Sequence, residues 1–434
     1  MYKQILLEKN NYLTLLFWLL IGIVAGPLTY VAVPVHVLMI KQKGQWLWIL
    51  LGFWLVLTVS DSRQGIFSFA KNLKTAMILV MGYLYMTAPK GRYDHLAFLR
   101  PFIPFFALAF FSLLSGPVGF TGFQKTLSYL LLLVIIPFFV NLLITYERDR
   151  FLYHLVMIGV LVLTAGLALR FMAPGFVMFA GGRYSGLLGN PNAIGIYGFL
   201  FFALFTLTIH FQKHLFTRPQ IIFIYSVILA SLILAGSRGG IFSALLFTMA
   251  YILFKRSVLV AFVVMSLVFA SYQYVMANFE TIVTSLGLAE YFRLESLDSG
   301  SGRLVVAEIA WKHIKMNYWF SYGFTYHLHI LAQYADYFVQ HGHQGNVHNS
   351  WLTIWMDTGL VGLILFAYGW LANFRQASRL SPLVWAVLFG MLLSISVESW
   401  LVASLNPFTI VLVIILSMLG NEGFYRNEEL GCGT

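Results

Sequence analysis

The sequence predicts an all-α polytopic integral membrane protein, with about 12–14 transmembrane helices and one long extramembrane loop. Three observations carry that prediction. The chain of 434 residues is 60% hydrophobic and only 10% charged, with a mean hydropathy of +0.81 that excludes an ordinary soluble core. Apolar runs of roughly 17 to 25 residues recur along almost the whole length, and in hydrocarbon only helices or closed barrels satisfy the backbone. The runs are continuously apolar and do not alternate, which selects helices over a barrel.

The N-terminal MYKQILLEKNNYLTLLFWLL places two lysines before an apolar run and lacks a small-residue cleavage site, so it reads as a start-transfer helix that is retained. Apolar segments then fall near 13–40, 45–60, 72–88, 96–114, 127–145, 151–170, 192–210, 221–235, 239–254, 257–275, 350–370, 383–399 and 404–420. The first is long enough, with Pro27 and Pro34 inside it, to make two short passes. This divides the chain into N-terminal membrane helices (1–276), a non-cytoplasmic loop with short helices (277–349), and C-terminal membrane helices with a cytoplasmic tail (350–434). Within the loop, SGRLVVAEIAWKHIKMN sets Leu304, Ala307, Ile309, Trp311 and Ile314 at near-helical spacing, as expected of an amphipathic helix over the membrane surface. No repeat of 20–50 residues and no low-complexity segment interrupts the pattern.

Charge and cysteine usage narrow the function further. The net charge of +11 is spread through short loops and forms no single basic stripe, which speaks for lipid-facing and positive-inside charge and against a nucleic-acid partner. The larger share of lysines and arginines lies on the side given to the cytoplasm, so the long loop and the turns SGPVGFTGFQK, GGRYSGLLGNPN and AGSRGG face the other way. The one cysteine, Cys432, leaves no internal disulfide and no multi-cysteine metal site.

Candidate chemistry gathers on that non-cytoplasmic face. HGHQGNVHNSWLTIWMDTGLVG carries His341, His343 and His348 and then enters a membrane segment. His348 sits where the segment begins, beside Asn349; nine residues later come Gly359 and Gly362, placed on one helix face where they would admit a second helix. Histidine exchanges a proton near neutral pH, so a rigidly placed one suits general-base work on a hydroxyl; an interfacial histidine bonded to backbone is the competing reading. His341 and His343 lie in a flexible Gly-Gln-Gly context. No carboxylate or cysteine accompanies the three at ligand spacing, so neither a metal nor a cofactor is expected.

Arg183, Arg238 and Arg303 stand in or beside glycine-rich turns, with Asn190 set to cap a helix at Pro191 and Asn192 one residue on. Planar guanidinium forks beside exposed backbone N–H groups are what a diphosphate needs; snorkelling or loop solvation is the alternative for each arginine alone. Glu398, in LLSISVESWLVA, is the carboxylate embedded in an apolar run, which implies a polar cavity or a serine or arginine partner. Asp336, Asp357, Glu280, Glu290, Glu295 and Glu308 read as solvated or interfacial, and Trp351, Trp355 and Trp370 as interface anchors.

Taken in order, these residues resemble the O-antigen ligase and polymerase superfamily of bacterial envelope glycosyltransferases. Arg183 and Leu187 in RYSGL, followed by GNPN, are similar to the family's Arg-x3-Leu; Ser237-Arg238-Gly239-Gly240 lies between two membrane helices; His348-Asn349, nine residues and Gly359-x-x-Gly362 fit the ligase pattern without a gap. SGRLVVAEIAWKHIKMNYWFSYGF also resembles the family's loop, and the likeness covers about residues 96–420. The chain departs from the family in NYWFSYGFTYHLH, where a proline and several glycines are usual, and in an extra pair of N-terminal passes. The resemblance implies a GT-C-like membrane fold in the bacterial inner membrane with a periplasmic site. It also implies transfer of a glycan from an undecaprenyl diphosphate donor to a hydroxyl of lipid A core, in lipopolysaccharide biosynthesis. In that reading His348 is the base and Arg183, Arg238 and Arg303 hold the diphosphate, with Asn349, Asn190, Asn192, Glu398, Gly359 and Gly362 in support. A polymerase of O-antigen, capsule or exopolysaccharide, with a glycan acceptor, shares these features. A lipid-linked oligosaccharide flippase is the rival from another class, although two related halves, usual in transporters, are missing here.

Overall fold

A computed structural model describes residues 8–60, 64–88, 94, 96–179, 182–278, 281, 284–285, 303–340 and 345–425. It is an all-α polytopic membrane architecture. The helices are α1 (Lys9–Ala25), α2 (Thr29–Gln42), α3 (Trp46–Ser60), α4 (Phe69–Thr87), α5 (Ile103–Ser112), α6 (Gly119–Met172), α7 (Pro191–Phe211), α8 (Arg218–Ala235), α9 (Arg238–Arg256), α10 (Val258–Ala277), α11 (Arg303–Met316), α12 (Tyr326–Ala332), α13 (Ala335–Gln340), α14 (Ser350–Ser378), α15 (Val384–Val397) and α16 (Pro407–Leu419). One short hairpin of β1 (Met178–Phe179) and β2 (Arg183–Tyr184) is the sheet among the described residues. Every apolar segment read from the sequence is a helix or part of one. Among the described residues six helical stretches are long and apolar enough to cross a membrane by length and composition: Lys9–Gln42, which holds α1 and α2, and the helices α6, α7, α8, α9 and α14.

The chain folds as two compact units. One comprises Met1–Phe98, Leu131–Gly240 and Leu405–Thr434, the other Leu99–Leu130 and Ile241–Ser404. In the first unit α3, α7 and α16 are apolar on all sides and buried along nearly their whole lengths, as befits helices surrounded by others. The 13–40 run makes two helices, α1 and α2, folded back on each other. Trp18 Nε1 donates to His36 Nδ1 at 2.8 Å, whereas 18 residues of straight helix would separate them by about 27 Å; the 3-10 turn Gly26–Leu28, with Gly26 at φ 46°, folds the run back on itself.

The 54 residues of α6 would span about 80 Å if straight, more than twice the thickness of a hydrocarbon core. Glu147, at φ −145° and ψ 36°, breaks the helix at the YERDR stretch between the two expected passes. Arg150 then joins Glu147 to Glu8, 2.7 Å from the latter, and so ties that turn to the start of α1.

The second unit contains the long loop. Here α11 buries Val306, Ala310 and Ile314, an i, i+4, i+8 row, against Tyr326, Ile330, Leu331, Phe338, Val347 and Met356. The apolar face is therefore narrower than the sequence spacing suggests. Ile314 belongs to it and Ile309 flanks it, but Trp311 is 39% exposed.

Helix α14 is interrupted at Gly359, which adopts φ 75° and ψ 178°. Four backbone groups around this break find partners in 318–323. Leu360 N–H donates to Tyr318 O at 2.8 Å and Val361 N–H to Trp319 O at 3.2 Å; Asp357 O accepts from Gly323 N–H at 2.7 Å and Met356 O from Ser321 Oγ at 2.7 Å. A Cβ at position 359 would meet the Trp319 carbonyl and Phe320 nitrogen, so glycine is required twice over, by φ and by space. Close approach at the Gly359-x-x-Gly362 pair thus occurs, but at Gly359 an irregular segment and not a second helix approaches, and the helix is not continuous there. Residues 360–378, beyond the break, measure about 28 Å, long enough for one pass.

Candidate functional site

In the second unit α14 begins with its cap. The Asn349 side chain accepts from Leu352 N–H at 3.0 Å, and its Nδ2 donates to Ser396 O at 3.1 Å. Ser350 Oγ donates to Glu398 O at 2.9 Å. These bonds tie the start of α14 to the end of α15, where Glu398 leaves the helix in extended conformation. His348 stands immediately before the cap, and its Nδ1 lies 2.9 Å from Glu398 Oε2. Their side chains are 21% and 16% exposed, so the pair is sheltered but reachable. Glu398 therefore has a histidine among its partners, 50 residues away in sequence.

The backbone of His348 is left-handed, φ 48°. A branch-free residue such as glycine would occupy this region at no cost, whereas a histidine there costs on the order of 1–3 kcal/mol and persists only when its surroundings dictate it. The Asn349 and Ser350 ties are those surroundings. Chemically, a carboxylate on Nδ1 fixes the ring orientation and stabilises the imidazolium formed when Nε2 accepts a proton, the arrangement of a base with its orienting acid.

Asp357 differs from its expected character. It is fully buried, because 323–327 wrap over it: Thr325 N–H and His327 N–H donate to its carboxylate at 3.1 and 2.7 Å, and His327 Nδ1 lies 2.9 Å from both oxygens. The sequence offered no local sign of this, since 30 residues separate the partners.

In the first unit the arginine turns have their own geometry. Asn190 caps α7 as expected, its side chain accepting from Asn192 N–H at 3.0 Å with Pro191 in the first turn. Arg183 reaches from β2 to the C-terminus of α8. Nε and Nη2 donate to Ala235 O at 3.3 and 3.1 Å, and Nη2 also to Gly236 O at 3.3 Å and Asn192 Oδ1 at 3.4 Å. A cation on the terminal carbonyls complements the helix dipole. Arg183 is thus first of all a staple for the turn carrying Arg238, the half-buried first residue of α9. That turn also packs tightly on α7: a Cβ on Gly195 would strike Ser237, and one on Gly240 would strike the Gly195 backbone. Beside Arg183, burial raises the Tyr184 hydroxyl well above the usual tyrosine range, keeping it protonated.

Arg303 opens α11, but its side chain lies outside the described residues, as do His341 and His343. His348, Asn349 and Glu398 are brought together in one unit; Arg183, Asn190, Asn192 and the Arg238 turn in the other. Among the described residues no group of three or more His, Cys, Asp or Glu could hold a metal ion.

No curated protein matches this chain. Residues 221–367 match the family model described as O-antigen ligase. The matched stretch includes Arg238, Arg303, His348, Gly359 and Gly362, while Arg183 and Glu398 lie outside it. This match over residues 221–367 supports the O-antigen ligase superfamily to which the ordered motifs pointed.

Proposed function

We propose that the protein is a periplasm-facing glycosyltransferase of the bacterial inner membrane, which moves a glycan from undecaprenyl diphosphate to a hydroxyl of lipid A core. The observation that carries this reading is His348, strained, capped and paired with Glu398, at the head of a membrane helix inside the stretch that matches the O-antigen ligase family. Its Nδ1–H donates to Glu398, so Nε2 takes the proton of the acceptor hydroxyl. The acceptor oxygen forms a bond to the anomeric carbon as the bond from that carbon to the diphosphate breaks. The departing diphosphate keeps the bonding pair, and charge builds up where guanidinium groups are most useful. Arg183, Arg238 and Arg303 are assigned to that charge, with Arg183 acting largely through its hold on the Arg238 turn. Nε2 then returns its proton to water.

Purified protein in liposomes, given an undecaprenyl diphosphate glycan and lipid A core, tests the reading through gel shift and mass of the products. Glycan on lipid A core supports it. Longer glycans still on the carrier would replace it with a polymerase, and lipid moved between leaflets without covalent change would replace it with a flippase.

A further inference from the structure

The second histidine–carboxylate pair has no part in the chemistry above. Asp357 is fully buried, accepts two backbone N–H bonds, and holds His327 Nδ1 at 2.9 Å. The backbone makes a left-handed turn at Thr325, φ 77°, to deliver His327 there. Among the described residues nothing else binds the ring. Nε2 has no hydrogen-bond partner among the described residues and is not among their buried unpaired atoms, so it faces outward from a side chain 18% exposed. With Nδ1–H given to Asp357, Nε2 presents a lone pair and accepts from a hydroxyl.

A donor accompanies this acceptor. Lys125 on α6 lies between Gly122 and Tyr129, on the helix face these share, and both touch Phe324. Lys125 is half-buried, interacts electrostatically with Asp357, and makes no hydrogen bond or ion pair among the described residues. One fixed acceptor and one nearby ammonium donor match the paired hydroxyls of a sugar. Asp357 stands two residues before the Gly359 break, and since 360–378 are long enough for one pass, the transferase reading sets this turn near the depth of the first sugar of a lipid-linked glycan.

We propose that His327, locked by Asp357 and accompanied by Lys125, is a sugar-binding subsite for the carrier-proximal residue of the glycan. The identity of the ligand rests on the transferase reading; the geometry of the subsite does not. The test uses full-length protein in detergent, without acceptor, and two fluorescent probes: undecaprenyl diphosphate bearing an oligosaccharide, and undecaprenyl diphosphate alone. Losing one such hydrogen bond costs about tenfold in affinity, so His327→Ala should bind the sugar-bearing lipid about tenfold more weakly. Binding of the bare carrier should be unchanged, and His327→Gln should recover part of the loss. In transfer assays the same variant should raise KM for donor and leave kcat within about twofold. Equal weakening toward both probes would reassign the pair to the diphosphate, and unchanged binding, or wild-type protein that does not distinguish the probes, would overturn the proposal. Sugar-dependent binding with no product would sink the transferase reading while leaving the subsite intact. Should His327→Ala fail to fold, His327→Gln and Lys125→Met carry the same comparison.

Discussion

His348–Glu398 and His327–Asp357 are the same chemical unit, an imidazole whose Nδ1 is held 2.9 Å from a carboxylate. They differ in which member is committed to the fold. Glu398 is partly exposed, and its backbone carbonyl helps anchor α14. Asp357 is fully buried and its carboxylate closes the 323–327 turn through two main-chain N–H groups. The strain is distributed to match. In the first pair the histidine itself is left-handed, while in the second the left-handed residue is Thr325, two positions before the ring. The Asp357 carboxylate is thus committed to the fold, while the Glu398 carboxylate is left partly exposed for the role proposed for it.

The largest effect that separates the two pairs is catalytic. His348→Gly removes the ring and also relieves the φ 48° backbone, so transfer should fall by about 10²–10⁴-fold while thermal stability stays level or rises. Activity close to wild type would break the comparison at its first member. Asp357→Ala should do the opposite and damage the fold first. It strands two backbone N–H groups and the His327 ring, for a loss of about 3 kcal/mol or more in thermal or denaturant unfolding. An unfolding midpoint like that of wild type would show that the buried carboxylate is not structural. Glu398→Gln should sit between them, with transfer down by about a hundredfold and stability within about 1 kcal/mol, as expected when an orienting acid loses its charge.

In the first unit Arg183→Lys should lose more than a simple charge contact would, because lysine cannot donate at once to Ala235 O, Gly236 O and Asn192 Oδ1. Kinetics in which lysine fully substitutes would remove the staple role. The smallest effect concerns pH. Burial, and secondarily the charge of Lys312, lower the pKa of His313 on α11. A histidine with a lowered folded pKa favours unfolding once the unfolded chain takes up its proton, so the loop should lose a little stability as pH falls below the ordinary histidine range and none above it. Hydrogen exchange of α11 at pH 7.5 and pH 5.5 reads this directly, and equal protection at both would contradict it.

Much of this was legible in the sequence because membrane helices announce themselves. Continuous apolar runs mark the helices, Pro27 marks the fold-back fixed by Trp18 and His36 while Pro34 lies inside α2, and Asn190 with Pro191 marks a helix start through local capping rules. His348 was legible for a similar reason, since its relation to Asn349, Gly359 and Gly362 is one of short spacing. The carboxylate partners were not. Glu398 lies 50 residues from His348 and Asp357 lies 30 from His327, and no local rule reports which distant loop will wrap a carboxylate. Asp357 looked interfacial because its neighbours are those of a segment start; the 318–323 strap that buries it appears only once Gly359 opens the helix. Arg183 is a third case. Its fork was foreseen, but its use on the carbonyls ending α8 depends on packing of β2 against that helix.

The most direct test of the central claim is the single-turnover rate of glycan transfer from undecaprenyl diphosphate to lipid A core, in wild type, His348→Gly, and His348→Gly supplied with free imidazole. A base held at Nδ1 by Glu398 predicts loss of transfer in the variant and partial recovery as imidazole fills the vacated site. Transfer that survives without His348, or an unchanged rate on adding imidazole to a folded and inactive variant, would contradict the assignment of the proton to this histidine.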